Sequence, residues 1–285
     1  MEKDMTKGSP LPVILQFTLP LIIGNIFQQL YNMADTIIVG RYVGADALAA
    51  VGSTGTIMFL VLGFAQGITA GFTVLTSQRF GAKDTRGVKR SVANGILLAL
   101  LFTVVLTFFS MISMRPLLHL MNTPENIFQD AYTYIMIICA GIAASVLYNL
   151  LSGVLRALGD SKTPLYFLIL SAVLNIGLDL LLILVFHMGA AGAALGTLLA
   201  RVIEVLIVVF YAVKMNDVVK IHIKDLFVKD KALGKDFFTY AFPVLLNELA
   251  WGAGMAAISA IVGHLGSSVV AAHSVAQVCR QLSMV

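Results

Sequence analysis

Eight long apolar segments, separated by short polar loops, constrain the fold of this chain more than any other feature. A helix needs ~20 largely apolar residues to cross a bilayer, and a backbone inside hydrocarbon must satisfy its own hydrogen bonds. Charged residues make up 12% of the chain, against about 25% in soluble domains. The sequence therefore predicts an all-α integral membrane protein, a polytopic helical bundle with spans over residues 12–40, 52–79, 91–114, 129–155, 164–186, 190–213, 238–263 and 268–285.

The lysines and arginines fall mostly in the loops of one side of the bundle, as expected for cytoplasmic loops. This side carries Lys3, Lys7, Arg79, Lys83, Arg86, Lys89, Arg90, Arg156, Lys162 and the charged stretch 214–235. The other side carries only Arg41 and Arg115. The asymmetry predicts a multi-pass protein of the prokaryotic plasma membrane with a cytoplasmic N-terminus. Because the basic residues are scattered in these short loops, the net charge of +4 does not indicate a nucleic-acid partner; the expected surroundings are membrane lipid.

The segment that begins Pro20-Leu-Ile-Ile-Gly matches the later segment Pro243-Val-Leu-Leu-Asn in apolar register. Six spans separate the two copies, so both start on the cytoplasmic side and the repeat is parallel. The sequence then divides into a six-helix N-lobe (1–213), a cytoplasmic linker (214–237) and the first two helices of a C-lobe (238–285). On this interpretation the chain corresponds to about two thirds of a twelve-helix protein. Chance similarity between apolar helices is the alternative.

One face of the first span is polar: Gln28, Tyr31, Asn32 and Asp35 follow the spacing i, i+3, i+4 and i+7, which is a single side of a helix. Lipid cannot satisfy such groups, so the face must meet protein or water. An ionisable residue inside a span is a functional-site hypothesis by default. Pro20 cannot donate a backbone hydrogen bond and is the natural hinge of this span.

Two further polar residues match Asp35 in depth, and a third lies one helical turn from one of them. Counting ~1.5 Å per residue, Asp35 on span one, Asp179 on span five and Thr197 on span six all lie ~8–12 Å below the outer surface, and Asn175 lies one turn from Asp179. Carboxylates, amide carbonyls and hydroxyls are ligands of hard cations, and two neighbouring carboxylates in a low dielectric also favour sharing a proton. The sequence predicts a cation-coupling site of Asp35, Asn175, Asp179 and Thr197. Separate helix–helix hydrogen bonds are the alternative.

Four other residues are candidates for contact with a substrate or for ion coupling. Gln28 and Asn32 share the polar face of span one, Tyr148 belongs to a polar stripe on span four, and Glu248 lies near the middle of span seven. Arg201 and Glu204, at i and i+3, most simply neutralise one another; Arg201 neutralising a substrate is the other possibility.

Several of these stretches resemble the multidrug and toxic compound extrusion (MATE) transporters. The resemblance is carried by residues 25–40, by Gly153-Val-Leu-Arg156-Ala-Leu-Gly-Asp160-Ser-Lys-Thr-Pro164, by Leu174-Asn-Ile-Gly-Leu-Asp179, by residues 189–197 and by the start of span seven, Pro243 to Glu248. It implies two six-helix lobes around a central cavity and export of organic cations driven by Na⁺ or H⁺. It also implies an N-lobe cation site at Asp35, Asn175, Asp179 and Thr197, which would be the Na⁺ ligands of a sodium-coupled protein, and it assigns the seventh-helix acid to Glu248.

The function expected from these observations is secondary antiport, with no enzyme activity and no cofactor beyond the coupling ion, in a transporter that acts as a monomer at full length. A flippase for lipid-linked precursors is the first alternative, but it would need several basic residues inside the spans, and only Arg201 and Arg280 qualify. A membrane-embedded enzyme would need a constellation such as His-Glu-x-x-His, which the sequence lacks. A channel fits a parallel repeat with off-axis acids less well than a carrier does.

Overall fold

The computed structural model describes residues 9–121 and 123–215, together with separate positions between 239 and 261. Within the first two ranges almost every residue is helical. The helices are α1 (Pro10–Ile38), α2 (Ala45–Gly81), α3 (Thr85–Leu120), α4 (Glu125–Ala140), α5 (Ile142–Ala157), α6 (Lys162–Leu180) and α7 (Gly189–Met215). Helices α1 and α6 each continue into a short π-helical turn, Val39–Val43 and Leu181–Val185 respectively.

The predicted membrane spans match these helices closely. Five helices are long and apolar enough to cross a bilayer: α1, α2, α3, α6 and α7. The pair α4 and α5 forms a sixth crossing if it is counted as one span. The all-helical membrane fold expected from the sequence is therefore confirmed. The predicted linker and the spans over 238–263 and 268–285 lie largely or wholly outside the described residues.

The fourth predicted span differs from expectation, because the helix breaks in its middle. Helices α4 and α5 meet at Gly141 with a bend of 45°. A Cβ atom at this glycine would stand 2.7 Å from Leu198 Cδ1 on α7 and 3.2 Å from the Ile138 carbonyl oxygen. The break therefore occurs at a position where any larger residue would require the Leu198 side chain of the neighbouring helix to move.

Aspartates at the loop ends start two of the helices. Asp84 precedes α3 and accepts a hydrogen bond from the Gly87 amide at 2.8 Å. Asp160 accepts hydrogen bonds from the amides of Lys162 and Thr163 and, at 2.6 Å, from the Thr163 hydroxyl. Such residues satisfy the amide groups that have no partner in the first turn of a helix. These two caps fix the residues at which α3 and α6 begin.

The helices pack so that α2 contacts α3, α4 and α5, while α7 contacts α4, α5 and α6. Helix α1 packs mainly along α6. Helix α3 lies at the outside of this bundle: it buries Val88, Val92 and Ala99 but leaves Val104 and Phe108 more than 60% exposed. Apolar side chains in such positions face lipid in a membrane protein. The inner faces of the other helices enclose a cavity.

Candidate functional site

A cavity of about 960 Å³ runs between six of the helices and contains most of the polar residues singled out from the sequence. Its walls come from α1, α2, α4, α5, α6 and α7, whereas no described residue of α3 contributes. The charged residues among its described walls are Asp35, Arg156 and Arg201. The wall also carries the hydroxyl, amide and phenol groups of Asn25, Gln28, Tyr31, Asn32, Gln66, Thr69, Thr73, Ser77, Tyr134, Ser145, Tyr148, Asn149, Ser152, Ser161 and Thr197.

The polar face predicted on the first span points into this cavity. Gln28, Tyr31, Asn32 and Asp35 all line it, and so does Pro20, which lies buried inside α1. The role of Pro20 as a hinge stays a prediction. Its position at the cavity wall means that a change in the bend of α1 would alter the shape of the cavity.

The four residues of the predicted cation site lie together near the predicted outer end of the bundle. The Asn175 side-chain amide donates to the Thr197 hydroxyl at 3.3 Å, which joins α6 to α7. Asp179 is fully buried and Asn175 is 3% exposed. The carboxyl groups of Asp35 and Asp179 lie side by side, which joins α1 to α6. The depth comparison in the sequence thus identified residues that the fold brings together.

Helix α7 approaches Asp179 closely because residue 196 is glycine. A Cβ atom on Gly196 would overlap the Asp179 carboxylate oxygen Oδ1 and would stand 3.2 Å from both Cγ and the backbone nitrogen of Asp179. Contacts this short between carbon and a packed neighbour require one of them to move. Gly196 therefore has a local role: it allows α7 to close one side of the predicted cation site.

The oxygen atoms of this cluster lack hydrogen-bond donors. Among the described residues no donor meets Asp35 Oδ1, Asn175 Oδ1 or either carboxylate oxygen of Asp179, although all four atoms are buried. Buried acceptors without a partner are rare and cost ~1–3 kcal/mol each, more when charged. Two ionised carboxylates can only accept, so their contact becomes a hydrogen bond when one of them carries a proton. The cluster is suited to receive a proton or a cation with oxygen ligands.

A second polar cluster lies one helical turn away on α7. Arg201 Nη1 donates to Glu204 Oε2 at 2.7 Å, which confirms the predicted neutralisation of this pair. The Arg201 guanidinium also lies over the ring of Tyr148, with 4.8 Å to the ring centroid. The hydroxyls of Tyr148 and Ser171 lie beside the Glu204 carboxylate. Glu204 is 1% exposed and lies behind the cavity wall, whereas Arg201 and Tyr148 line it.

Two tyrosines lie beside these clusters, and sequence reasoning did not assign a role to either. Tyr134 on α4 is 4% exposed and lies within electrostatic reach of both Asp35 and Asp179. Tyr31 lies within reach of Asp35 on one side and of the Arg201–Glu204 pair on the other. Tyr134 could have been found by the same depth count, because it lies about as far inside span four as Asp35 lies inside span one. The remaining candidate, Glu248, lies outside the described residues.

The chain is similar in sequence to proteins named for multidrug resistance or multidrug export. A model of the MatE family matches residues 20–181. The probable multidrug resistance protein YpnP of Bacillus subtilis is 34% identical over 275 residues, which cover 96% of this chain and 61% of that protein. The multidrug export protein MepA of Staphylococcus aureus is 24% identical over 273 residues, which cover 94% of this chain and 59% of that protein. The chain thus spans about three fifths of the length of these relatives.

The fold is similar to solved transporter structures as well. A transporter of the MOP superfamily from Pyrococcus furiosus superimposes with a TM-score of 0.90 at 28% identity, over 98% of this chain and 62% of that one. An outward-facing multidrug resistance transporter of the MATE family gives a TM-score of 0.84 at 28% identity, over 90% of this chain and 56% of that one. Since the family match covers more than half of the sequence, the chain belongs to the MatE family of multidrug efflux transporters.

Proposed function

We propose that this chain contains the cation-coupling lobe of a secondary antiporter that exports organic cations in exchange for Na⁺ or H⁺. The observation that supports the proposal best is the set of four buried acceptor atoms on Asp35, Asn175 and Asp179 that lack donors among the described residues. A purely structural polar cluster would pair its acceptors with donors, as buried groups in folded proteins generally do. A site that alternately binds and releases a cation needs the opposite arrangement.

The residues present fit either coupling ion. For Na⁺, the ligands would be the carboxylates of Asp35 and Asp179 with the Asn175 carbonyl and the Thr197 hydroxyl, all of them oxygens that hard cations prefer. For H⁺, the two neighbouring carboxyls would share the proton, since two adjacent negative charges in a low dielectric are unfavourable. In both cases the ion supplies the positive charge that the buried pair lacks.

The position of the site relative to the cavity supports a coupled exchange. Asp35 and Thr197 line the cavity, while Asn175 and Asp179 do not, so the ion would be held one layer behind the wall that the substrate contacts. Asp35 would then belong to both sites, and a positively charged substrate would compete with the ion for it. Coupling requires that ion and substrate prefer different conformations of the protein, and Pro20 is where we expect α1 to change shape.

The topology that accompanies this proposal is the one expected from the loop charges. The N-terminus would be in the cytoplasm of a prokaryotic cell, and the cation site would lie in the outer half of the cell membrane. An ion that enters from outside would then reach Asp35 and Asp179 and favour release of the substrate outward. The transporter would work as a monomer at its natural length.

The test is efflux of a fluorescent organic cation from vesicles that contain the protein at its natural length. Na⁺ and pH gradients are imposed separately, and we expect one of them to drive efflux. Asp35→Asn preserves the size of the side chain but removes its charge, so efflux should stop while membrane insertion and thermal stability are retained. Asp46→Asn, at the start of α2 outside the cavity, is the matched control. Normal efflux from Asp35→Asn would contradict the proposed site.

A further inference from the structure

The described wall of the cavity carries more positive than negative charge, which is unexpected for a protein that exports simple cations. Two arginines, Arg156 and Arg201, line it, against one carboxylate, Asp35. Glu204 neutralises Arg201 in part but is 1% exposed and does not reach the cavity. The Arg201 side chain is 18% exposed. A substrate in the cavity would therefore meet the guanidinium and not its counter-ion.

The guanidinium retains most of its hydrogen-bonding capacity. An arginine has five N–H donors, and in the described part of the chain Arg201 donates one hydrogen bond, from Nη1 to Glu204 Oε2. The Tyr148 ring supports the guanidinium at 4.8 Å from the ring centroid and limits its movement, as stacking on an aromatic face does. A planar donor group held in this way, on a side chain that lines the cavity, is of the kind that binds carboxylates and phosphates.

From this geometry we infer that Arg201, held by Tyr148 and Glu204, forms a subsite for an anionic group on the exported molecule, a carboxylate or another oxyanion. The inference rests on the proposed export of organic cations and narrows their class to amphiphilic molecules that carry both a cationic and an anionic group. Thr197 and Arg201 are one turn apart on α7, which corresponds to ~6 Å. The cationic group would lie toward Asp35 and the anionic group one turn further along the cavity.

A matched pair of dyes tests this subsite directly. A rhodamine with a free carboxylate and the ethyl ester of the same rhodamine share the cationic ring system and differ in the anionic group. Binding of both to the purified protein in neutral detergent micelles is measured by fluorescence anisotropy. We expect the dye with the free carboxylate to bind at least about tenfold more tightly than the ester, because a charge-assisted hydrogen bond contributes at least the binding free energy of a tenfold change in Kd.

The variants are chosen to keep the fold intact. Arg201→Gln alone would leave Glu204 buried and unpaired, so the double variant Arg201→Gln/Glu204→Gln removes both charges together. It should bind the two dyes equally. Glu204→Gln leaves the guanidinium without its counter-ion and should increase the preference for the carboxylate. Arg115→Gln is the control, because Arg115 lies outside the cavity over the Tyr132 ring and its loss should leave the preference unchanged.

Equal binding of the two dyes by the unaltered protein overturns the inference, and so does a preference that persists in the double variant. Failure of the proposed antiport is a separate result. It would appear as efflux of the ester dye that responds to neither the Na⁺ nor the pH gradient, whether or not the protein binds the carboxylate dye more tightly. Micelles that contain phosphatidylglycerol distinguish the sources of the oxyanion. If phosphatidylglycerol weakens binding of the carboxylate dye to the unaltered protein but not to the double variant, the subsite also accepts lipid phosphate. If phosphatidylglycerol has no effect on dye binding, the subsite is restricted to carboxylates. Both results support an oxyanion site.

Discussion

The substitution Gly196→Ala tests the close contact between α6 and α7 at the predicted cation site. The added Cβ would overlap Asp179 Oδ1 and stand 3.2 Å from Cγ and from the backbone nitrogen of Asp179. The nitrogen is part of a helix and cannot yield, so either the helices separate or the carboxylate turns away. Overpacking of this kind costs ~1–3 kcal/mol. We also expect the apparent affinity for the coupling ion to fall at least about tenfold, because a turned Asp179 no longer faces Asp35.

Gly177→Ala provides the matched control within α6. Gly177 lies in the same helix as Asp179 and is exposed, and a Cβ atom added to it would meet no other atom within 4 Å. Replacing glycine with alanine inside a helix by itself stabilises by ~0.5–1 kcal/mol. The difference between the two variants therefore isolates the cost of the clash.

Both quantities can be measured on purified protein in detergent. Thermal unfolding followed by intrinsic fluorescence reports the stability, and the rise in Tm on addition of the coupling ion reports its binding. Gly177→Ala should unfold at the same temperature as the unaltered protein or higher and should keep the ion-dependent rise. A Gly196→Ala variant with unchanged Tm and an unchanged ion-dependent rise would refute the packing of Asp179 against α7.

The remaining predictions concern groups that stabilise the lobe at a distance from the ion. Asp160→Ala removes the acceptor of three hydrogen bonds at the start of α6 and should destabilise the protein by ~1–2 kcal/mol. Asp84→Ala should cost less, since the side chain of Asp84 is 43% exposed. Thermal unfolding measures the stability of both variants. Thr76→Val leaves the buried Ser91 hydroxyl without its 2.9 Å partner and should cost ~1–3 kcal/mol. The double variant Thr76→Val/Ser91→Ala should regain part of the lost stability. Ion binding should be unchanged in the single and the double variant, because neither residue lines the cavity.

The spans and the depth of the polar groups were predictable because a bilayer imposes one length scale on every helix. The same count along each span identified Asp35, Asp179 and Thr197. Asn175 lies one turn from Asp179, and the fold brings the four residues together. Depth says nothing about the direction in which a side chain points around the helix axis, which depends on how the helices pack. The link from Asp35 through Tyr31 to Arg201 and Glu204, and the presence of Arg156 in the cavity wall, required the structure for this reason.

The bend at Gly141 was not predictable from hydropathy, since the apolar run continues on both sides of it. The glycine at the bend lies against Leu198 on α7, which is far away in sequence. Gly196 is a similar case: the sequence showed a stretch of small residues typical of close helix packing, but not that Asp179 is the group it packs against. Small residues predict that helices approach each other, and the structure identifies the partner.

The central claim is that Asp35 and Asp179 together hold the coupling cation, and infrared difference spectroscopy of the purified protein tests it most directly. Addition of Na⁺ or of acid should change the carboxyl absorption bands, through a shift of the carboxylate bands for Na⁺ or through appearance of a protonated-acid band for H⁺. This change should be absent from Asp35→Asn/Asp179→Asn, which keeps the shape of both side chains. A spectral change of equal size in the double variant, or none in the unaltered protein, would contradict the account.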